Sequence, residues 1–283
     1  MKFQKWQALG NDYMIVERDD LPFELTPKRI EKICRYHFGA GADGILLIEP
    51  SDDPGIVAHI RIYNPDGSEA ELSGNGVREA VMYLRRCGRT DQDEFAVSTA
   101  AGIIRPKIIS ETECEVEMGQ ASVSSKDFPG GPADGRGTIV VGFTDLEFQH
   151  VSIGNPQCAI EIPGEAADLE ALNLRRIGPG LEEDHRFPNR TNVSFWQKRG
   201  DNEIVARIFE RGVGETLSSG TGATGAAVAA YLRGAKSPLT VRLDGGELTV
   251  AIDEDLNIKL TGWAVPVFDG VLIPEFIAEL EQI

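Results

Sequence analysis

Two serines in this chain stand where a pair of proton-transferring groups could act on one carbon. Ser73-Gly74-Asn75-Gly76 follows Glu69 by four residues, and Ser219-Gly220-Thr221-Gly222 follows Glu215 by four. The serines lie 146 residues apart (219 − 73), about half of the 283-residue chain. Each turn leads into an apolar, alanine-containing run and so predicts a helix N-terminus, with unpaired N–H groups and the positive end of a dipole. Glycine after each serine removes the Cβ that would hold a ligand away from that backbone. A carboxylate gripped by both turns would place its α-carbon between side chains 73 and 219. Stereoinversion needs that arrangement, because one group removes the proton and another returns one from the opposite face. Each serine alone is equally well explained as an N-cap. The duplication favours a shared ligand site.

The elements that must position these turns are duplicated too. Arg61-Ile62-Tyr63-Asn64 matches Arg207-Ile208-Phe209-Glu210, and Tyr83-Leu84-Arg85 answers Tyr231-Leu232-Arg233. Upstream, Gly10-Asn11 with Glu17 recurs as Gly154-Asn155 with Glu161. This is one long repeat used twice, not a solenoid of short units. The pattern predicts an α/β (α+β) protein of two pseudo-symmetric domains, each a β-sheet or barrel wrapped around a central helix. The expected boundaries are 1–120 plus 264–283 for the first domain and 138–263 for the second, with a Pro/Gly-rich linker at 121–137. Helices are expected from Thr26-Pro27 to about Tyr36, over 77–87 ended by Gly88, near 168–172, and over 223–233. The tail after Asp269 is expected to return to the first domain.

Composition narrows the function classes. A net charge of −17 argues against a nucleic-acid partner or an anionic membrane surface. No apolar run reaches membrane-spanning length, and Met1-Lys2-Phe3-Gln4-Lys5-Trp6 does not read as a secretory leader. The four cysteines, Cys34, Cys87, Cys114 and Cys158, lack disulfide or zinc spacing, and the four histidines offer no metal-ligand pattern. A cytoplasmic protein without a metal site is expected.

Five motifs carry a resemblance. They are Ala8-Leu9-Gly10-Asn11-Asp12, Asn64-Pro65-Asp66-Gly67-Ser68-Glu69-Ala70, Gly74-Asn75-Gly76-Val77-Arg78, Gly154-Asn155-Pro156 and Glu210-Arg211-Gly212-Val213-Gly214-Glu215-Thr216. In order and spacing, over essentially the whole chain, the sequence resembles the diaminopimelate epimerase family. The resemblance implies a cofactor-independent epimerase of two pseudo-symmetric domains with the active site in the cleft. It implies interconversion of LL- and meso-2,6-diaminopimelate, a step of lysine and peptidoglycan synthesis, and it allows a homodimer. It places substrate contacts on Asn11, Asn64, Gly74, Asn75, Asn155, Asn192, Glu210, Arg211, Gly220 and Thr221. Gly74, Asn75, Gly220 and Thr221 would offer N–H groups to the reacting carboxylate, and Arg211 would pair with the distal one. Asn64, Asn192 and Glu210 would accept from the distal ammonium.

Three departures from the family pattern bear on mechanism. Its two catalytic cysteines are Ser73 and Ser219 here, a histidine common after Gly-Asn-Pro is Gln157, and a glutamine expected after Asp43 is Gly44. A helix dipole worth about 1 kcal/mol, under one pKa unit, brings a thiol within reach of ionisation but not a serine hydroxyl. An adjacent base is therefore required, and Glu69, Glu215, Asp43 and Glu210 are the candidates. Three readings follow: an epimerase whose serines are helped, a substrate-binding form without turnover, and an isomerase or lyase of another amino or hydroxy acid. A fourth, nucleotide binding at Gly220-x-Gly222-x-x-Gly225, is disfavoured because a long loop separates that turn from the preceding strand.

Overall fold

In the computed structural model of the protein, which describes residues 1–141 and 144–283, the chain divides into two compact units. One comprises residues 1–116 with 262–283, the other residues 117–261. The first unit begins with a hairpin, β1 (Lys2–Ala8) and β2 (Asn11–Glu17), then α1 (Pro27–Cys34), β3 (Gly44–Glu49), β4 (His59–Tyr63) and β5 (Glu69–Ala70). It continues through α2 (Gly74–Arg86), β6 (Val97–Thr99), β7 (Gly102–Ile104) and β8 (Lys107–Ile108). Strand β9 (Glu113–Gln120) leads to β10 (Arg136–Val141), β11 (Thr144–Ser152), β12 (Pro156–Glu161), α3 (Ala166–Glu170) and α4 (Leu174–Glu182). The second unit then runs through β13 (Asn192–Gly200), β14 (Glu203–Glu210), β15 (Gly214–Thr216), α5 (Gly220–Tyr231), β16 (Leu239–Leu243), β17 (Gly246–Ile252) and β18 (Asn257–Trp263). Last come β19 (Val265–Val271) and α6 (Pro274–Glu281). Strand β19 pairs antiparallel with β1, the return to the first unit that the sequence predicts.

The duplication extends to strand order and register. The first unit's sheet runs β19-β1-β2-β3-β4-β6-β7, with β5 on β4. In the second unit the order is β10-β11-β12-β13-β14-β16-β17-β18, with β15 on β14. Parallel pairs fall at matching places: β2 with β3 and β4 with β6, answered by β12 with β13 and β14 with β16. Within the first of these pairs Tyr13 lies opposite Gly44, and its counterpart sets Gln157 opposite Asn192.

A helix fills each sheet. Helix α2 packs on β1, β2, β3 and β4, and α5 packs on β11 to β14, β16 and β17. Helix α5 is buried from Gly222 through Ala230, and its small residues let strands approach on every side, as a central helix requires. No helix among the described residues is long and apolar enough to cross a membrane.

Three local expectations change. Helix α1 is capped as expected, Arg29 N–H donating to Thr26 Oγ1 at 3.4 Å, but it stops at Cys34. Where one helix was expected near 168–172 the chain forms α3 and α4. The sequence conceals α4 because Gly178-Pro179-Gly180 lies inside it, although Asn173 caps it by accepting from Arg176 N at 3.1 Å. Residues 121–137, expected as a linker, fold into the second unit. Phe128 is buried in that unit's core with its ring centroid 5.5 Å from Phe148 and 5.2 Å from Phe187. Apolar burial here outweighs the Pro/Gly composition on which the linker expectation rested.

Candidate active site

Ser73 is the N-cap of α2, its Oγ accepting from Gly76 N–H at 3.1 Å. Gly74 is therefore the first residue of the helix, and the N–H groups of Gly74 and Asn75 lie in its first turn. A chain of hydrogen bonds sets the surrounding amides. The fully buried Arg78 donates to Gly74 O at 3.0 Å and to Asn75 Oδ1 at 2.6 Å. Asn75 Nδ2 donates to Asn11 Oδ1 at 3.2 Å, and Asn11 Nδ2 donates to Asp43 Oδ2 at 2.9 Å. Arg78, a donor only, thus fixes which way Asn75 and Asn11 face. Beside Ser73, the Tyr13 hydroxyl donates to Oγ at 3.4 Å, while the Tyr13 N–H is held by Glu79 Oε2 at 3.2 Å. Glu79 is fully buried, and that burial pushes its carboxyl well above the ordinary range.

The second unit repeats the turn with other partners. Ser219 caps α5, accepting from Gly222 N–H at 3.2 Å, and its own hydroxyl donates to Glu210 Oε2 at 3.0 Å. Protein crowded around Glu210 pushes its carboxyl upward, and hydrogen bonding from Thr216 and Ser219 offsets part of that. Asn155 Nδ2 donates to Thr221 Oγ1 at 3.3 Å, and Asn155 Oδ1 accepts from Gln157 Nε2 at 2.7 Å. Thr224 Oγ1 donates to Gly220 O at 2.8 Å, taking the role that Arg78 has toward Gly74. Gln157 is fully buried against α5. A Cβ on Gly225 would stand 2.8 Å from the Gln157 Cβ and 3.0 Å from its Cγ, so only glycine admits Gln157 there.

Within each unit the structure brings most of the expected residues together. Ser73, Gly74, Asn75 and Asn11 cluster in the first, and Ser219, Gly220, Thr221, Asn155 and Glu210 in the second. Asn192 Oδ1 accepts from Arg211 N–H at 2.9 Å, its Nδ2 donates to Pro156 O at 3.0 Å, and the Arg211 guanidinium bonds Asn189 O at 3.0 Å. Asn192 therefore shapes the Arg211 turn. Asn64 Nδ2 donates to Ser68 Oγ at 2.9 Å, which closes its own turn.

Of the four carboxylates the sequence offers as a base, Glu210 alone hydrogen-bonds a motif serine. Glu69 is held in a two-point pair by Arg61 at 2.9 and 2.8 Å, and Glu215 takes Arg207 at 2.5 Å and Arg175 at 3.7 Å. Asp43 accepts from Asn11 and from the Tyr36 hydroxyl, the latter at 2.8 Å. The cysteines supply no thiolate: burial pushes Cys34 and Cys114 up to about 12 and raises Cys158 and Cys87 as well. Among the described residues no cluster of three or more His, Cys, Asp or Glu is placed to hold a metal ion. Sequence reading passes over Tyr13, Arg78, Glu79 and the positioning role of Gln157. Tyr13 sits in an apolar strand run, and buried Arg78 and Glu79 read as ordinary charged helix positions.

The departure at Gly44 has a physical counterpart. A Cβ there would stand 2.3 Å from Tyr63 O and 2.6 Å from Tyr13 Cε1. The Tyr13 ring occupies the room that a side chain at 44 would need.

Known proteins resemble this chain in sequence and in fold. A family model described as diaminopimelate epimerase matches residues 3–124 and 149–266. A Nostoc sp. protein named diaminopimelate epimerase 2 is 39% identical over 283 residues, covering 98% of this chain and 98% of the relative. A Desulfitobacterium hafniense diaminopimelate epimerase is 37% identical, with 98% of this chain and 100% of the relative covered. Among solved structures, a Bacillus anthracis phenazine biosynthesis protein superposes with a TM-score of 0.69 at 20% identity, covering 96% of this chain and 99% of that one. A hydroxyproline epimerase from Agrobacterium vitis gives a TM-score of 0.67 at 15% identity, covering 99% and 98%. These two structures establish the shared fold.

Proposed function

The chain belongs to the diaminopimelate epimerase family, and we propose that it inverts one stereocentre of 2,6-diaminopimelate without a cofactor, using Ser73 and Ser219 as the paired proton-transfer groups. The observation that carries this reading is the Ser219–Glu210 contact at 3.0 Å at the start of α5. It supplies the base that a serine needs.

The chemistry follows from the hydrogen-bond directions. The first turn of α2, at Gly74 and Asn75, and the first turn of α5, at Gly220 and Thr221, each offer N–H groups and a dipole end that favours a carboxylate. As the α-C–H bond breaks, Ser219 Oγ takes that proton and passes its own to Glu210, so no free alkoxide accumulates. A carboxylate raised by burial is a stronger base for this transfer than an ordinary one. The electron pair left on carbon takes a proton from Ser73 Oγ on the other face. Both half-sites must serve the same carbon for this to be an inversion. Arg211 is the charge-assisted partner for the distal carboxylate.

One observation favours a second reading, an isomerase of a different amino or hydroxy acid. The ring of Tyr13 fills the space at Gly44, where the family pattern has a glutamine. Incubation with LL-2,6-diaminopimelate, followed by chromatographic separation of LL and meso forms, tests both, with the Ser73→Cys/Ser219→Cys chain as comparator. Conversion by the wild type supports the first reading. Tight binding without conversion, restored by the two cysteines, would leave a binding protein, and absence of binding would favour the second reading.

A further inference from the structure

We infer that the Tyr13 hydroxyl is the proton partner of Ser73, a positioning residue that acts on the reaction through that serine. The inference rests on the proposed role of Ser73. Three independent placements support it. The Tyr13 hydroxyl lies 3.4 Å from Ser73 Oγ, longer than an ordinary hydroxyl pair, as unliganded catalytic contacts often are. The residue is 5% exposed, so bulk water has little access to the ring. Its backbone is pinned to the same helix that Ser73 caps, through the Tyr13 N–H to Glu79 Oε2 bond at 3.2 Å.

Gly44 completes the placement. Opposite Tyr13 on β3, it has no side chain, and a Cβ would collide with Tyr63 O at 2.3 Å and with the Tyr13 ring at 2.6 Å. The matching register position in the second unit carries Asn192 opposite Gln157, and Gln157 bonds Asn155 rather than Ser219. Each serine therefore has its own proton partner, and the partners differ in chemistry: a carboxylate for Ser219 and a phenol for Ser73.

The phenol answers a specific difficulty. A serine that gives its proton to carbon would be left as an alkoxide. With Tyr13 in contact, the Ser73 O–H bond breaks as the C–H bond forms, and the Tyr13 O–H bond breaks as Ser73 Oγ regains a proton. The charge then rests on a phenolate, whose parent acid has a reference pKa of about 10, and once the product leaves the proton returns to it through the half-buried Ser73 hydroxyl. The net donor is a phenol rather than an alcohol.

Tyr13→Phe tests the pair and keeps the ring that fills the space at Gly44, so the fold is retained. The first measurement needs no turnover. In a Ser73→Cys chain, alkylation of residue 73 by iodoacetamide is followed against pH by peptide mass mapping, with Tyr13 or with Y13F. A phenol donating to the thiolate lowers its pKa, so Y13F is expected to slow alkylation near neutral pH about three- to tenfold and move the profile upward. Superimposable profiles would overturn the inference. The second measurement is epimerisation by the chain that keeps Ser73. Y13F is expected to lower kcat about tenfold or more with KM within about twofold, and Ser73→Cys in the Y13F background should recover most of the loss. Wild-type kcat in Y13F, or a defect that Ser73→Cys leaves untouched, would overturn it. A shifted alkylation profile in a protein that epimerises nothing would support the pair and sink the proposed reaction.

Discussion

Asn64 and Glu210 occupy the same place in the repeat, at the ends of β4 and β14, and there the two halves part. Asn64 closes a turn on Ser68, whereas Glu210 accepts the hydroxyl proton of Ser219. The neighbouring positions diverge in step. Tyr13 reaches Ser73 in one half, and Gln157 in its place reaches Asn155 in the other. Position 79 is a buried glutamate that holds β2, while its counterpart, Gly225, makes room for Gln157. The duplicated backbone keeps a serine-capped helix start in both copies and lets the serines' hydrogen-bond partners differ. Inversion needs one group that takes a proton and one that gives it, so unlike partners suit the task.

The largest effect is expected at the point of divergence. Glu210→Gln removes the base and leaves the hydrogen-bonding shape, so kcat should fall about 10²- to 10³-fold with modest change in KM, measured by LL-to-meso conversion. An unchanged kcat would erase the difference between the halves. Next, Gly225→Ala forces a Cβ to within 2.8 Å of Gln157. Overpacking of this kind costs about 1–3 kcal/mol, read as a loss of several degrees in melting temperature. Because the nearest contact is the Gln157 Cβ itself, the same substitution in a Gln157→Gly background should cost much less, and an equal cost there would show that Gly225 is not reserved for Gln157.

Two buried groups give opposite pH signatures. His150 in the second unit has its pKa lowered by burial, so the stability tied to its neutral ring is present above the unfolded value of about 6.5 and is lost as pH falls through the folded value. His150→Gln should flatten the acid limb of a melting-temperature profile. Glu79 in the first unit has its pKa raised by burial. Its contribution is present below the unfolded carboxylate value and is lost as pH rises through the folded one. Glu79→Gln should therefore gain stability relative to wild type at pH 8 more than at pH 4. Equal gains at both would mean that Glu79 is not held protonated. The smallest effect belongs to Asn64→Ala: with its Nδ2 given to Ser68, kcat should change less than about threefold, against the loss at Glu210.

How much of this was legible beforehand depended on what each residue type announces. Ser73 and Ser219 were readable as helix starts because a serine before glycine and an apolar run has few other uses. The repeat was readable through paired landmarks, and the sheet order and register extend it. The partners of the serines were not. Tyr13 looks like one more apolar strand residue until Gly44 is placed opposite it, a pairing that only the parallel register of β2 and β3 provides. Glu69 and Glu215 looked as eligible as Glu210, and Arg61 and Arg207 withdraw them only once β4 and β14 bring those arginines alongside. Helix α4 was hidden by Pro179, and the buried Phe128 by the Pro/Gly residues around it.

Deuterium wash-in at the α-carbon most directly tests the claim that the two halves handle protons differently. LL- and meso-diaminopimelate are each incubated in deuterated water with wild type, Glu210→Gln and Tyr13→Phe, and exchange with retention is separated from exchange with inversion. Wild type should show both for both isomers. For the isomer deprotonated on the Ser219 side, Glu210→Gln should lose both, whereas Tyr13→Phe should keep exchange with retention while inversion falls. Proportional loss of exchange and inversion in both variants, for both isomers, would contradict the account.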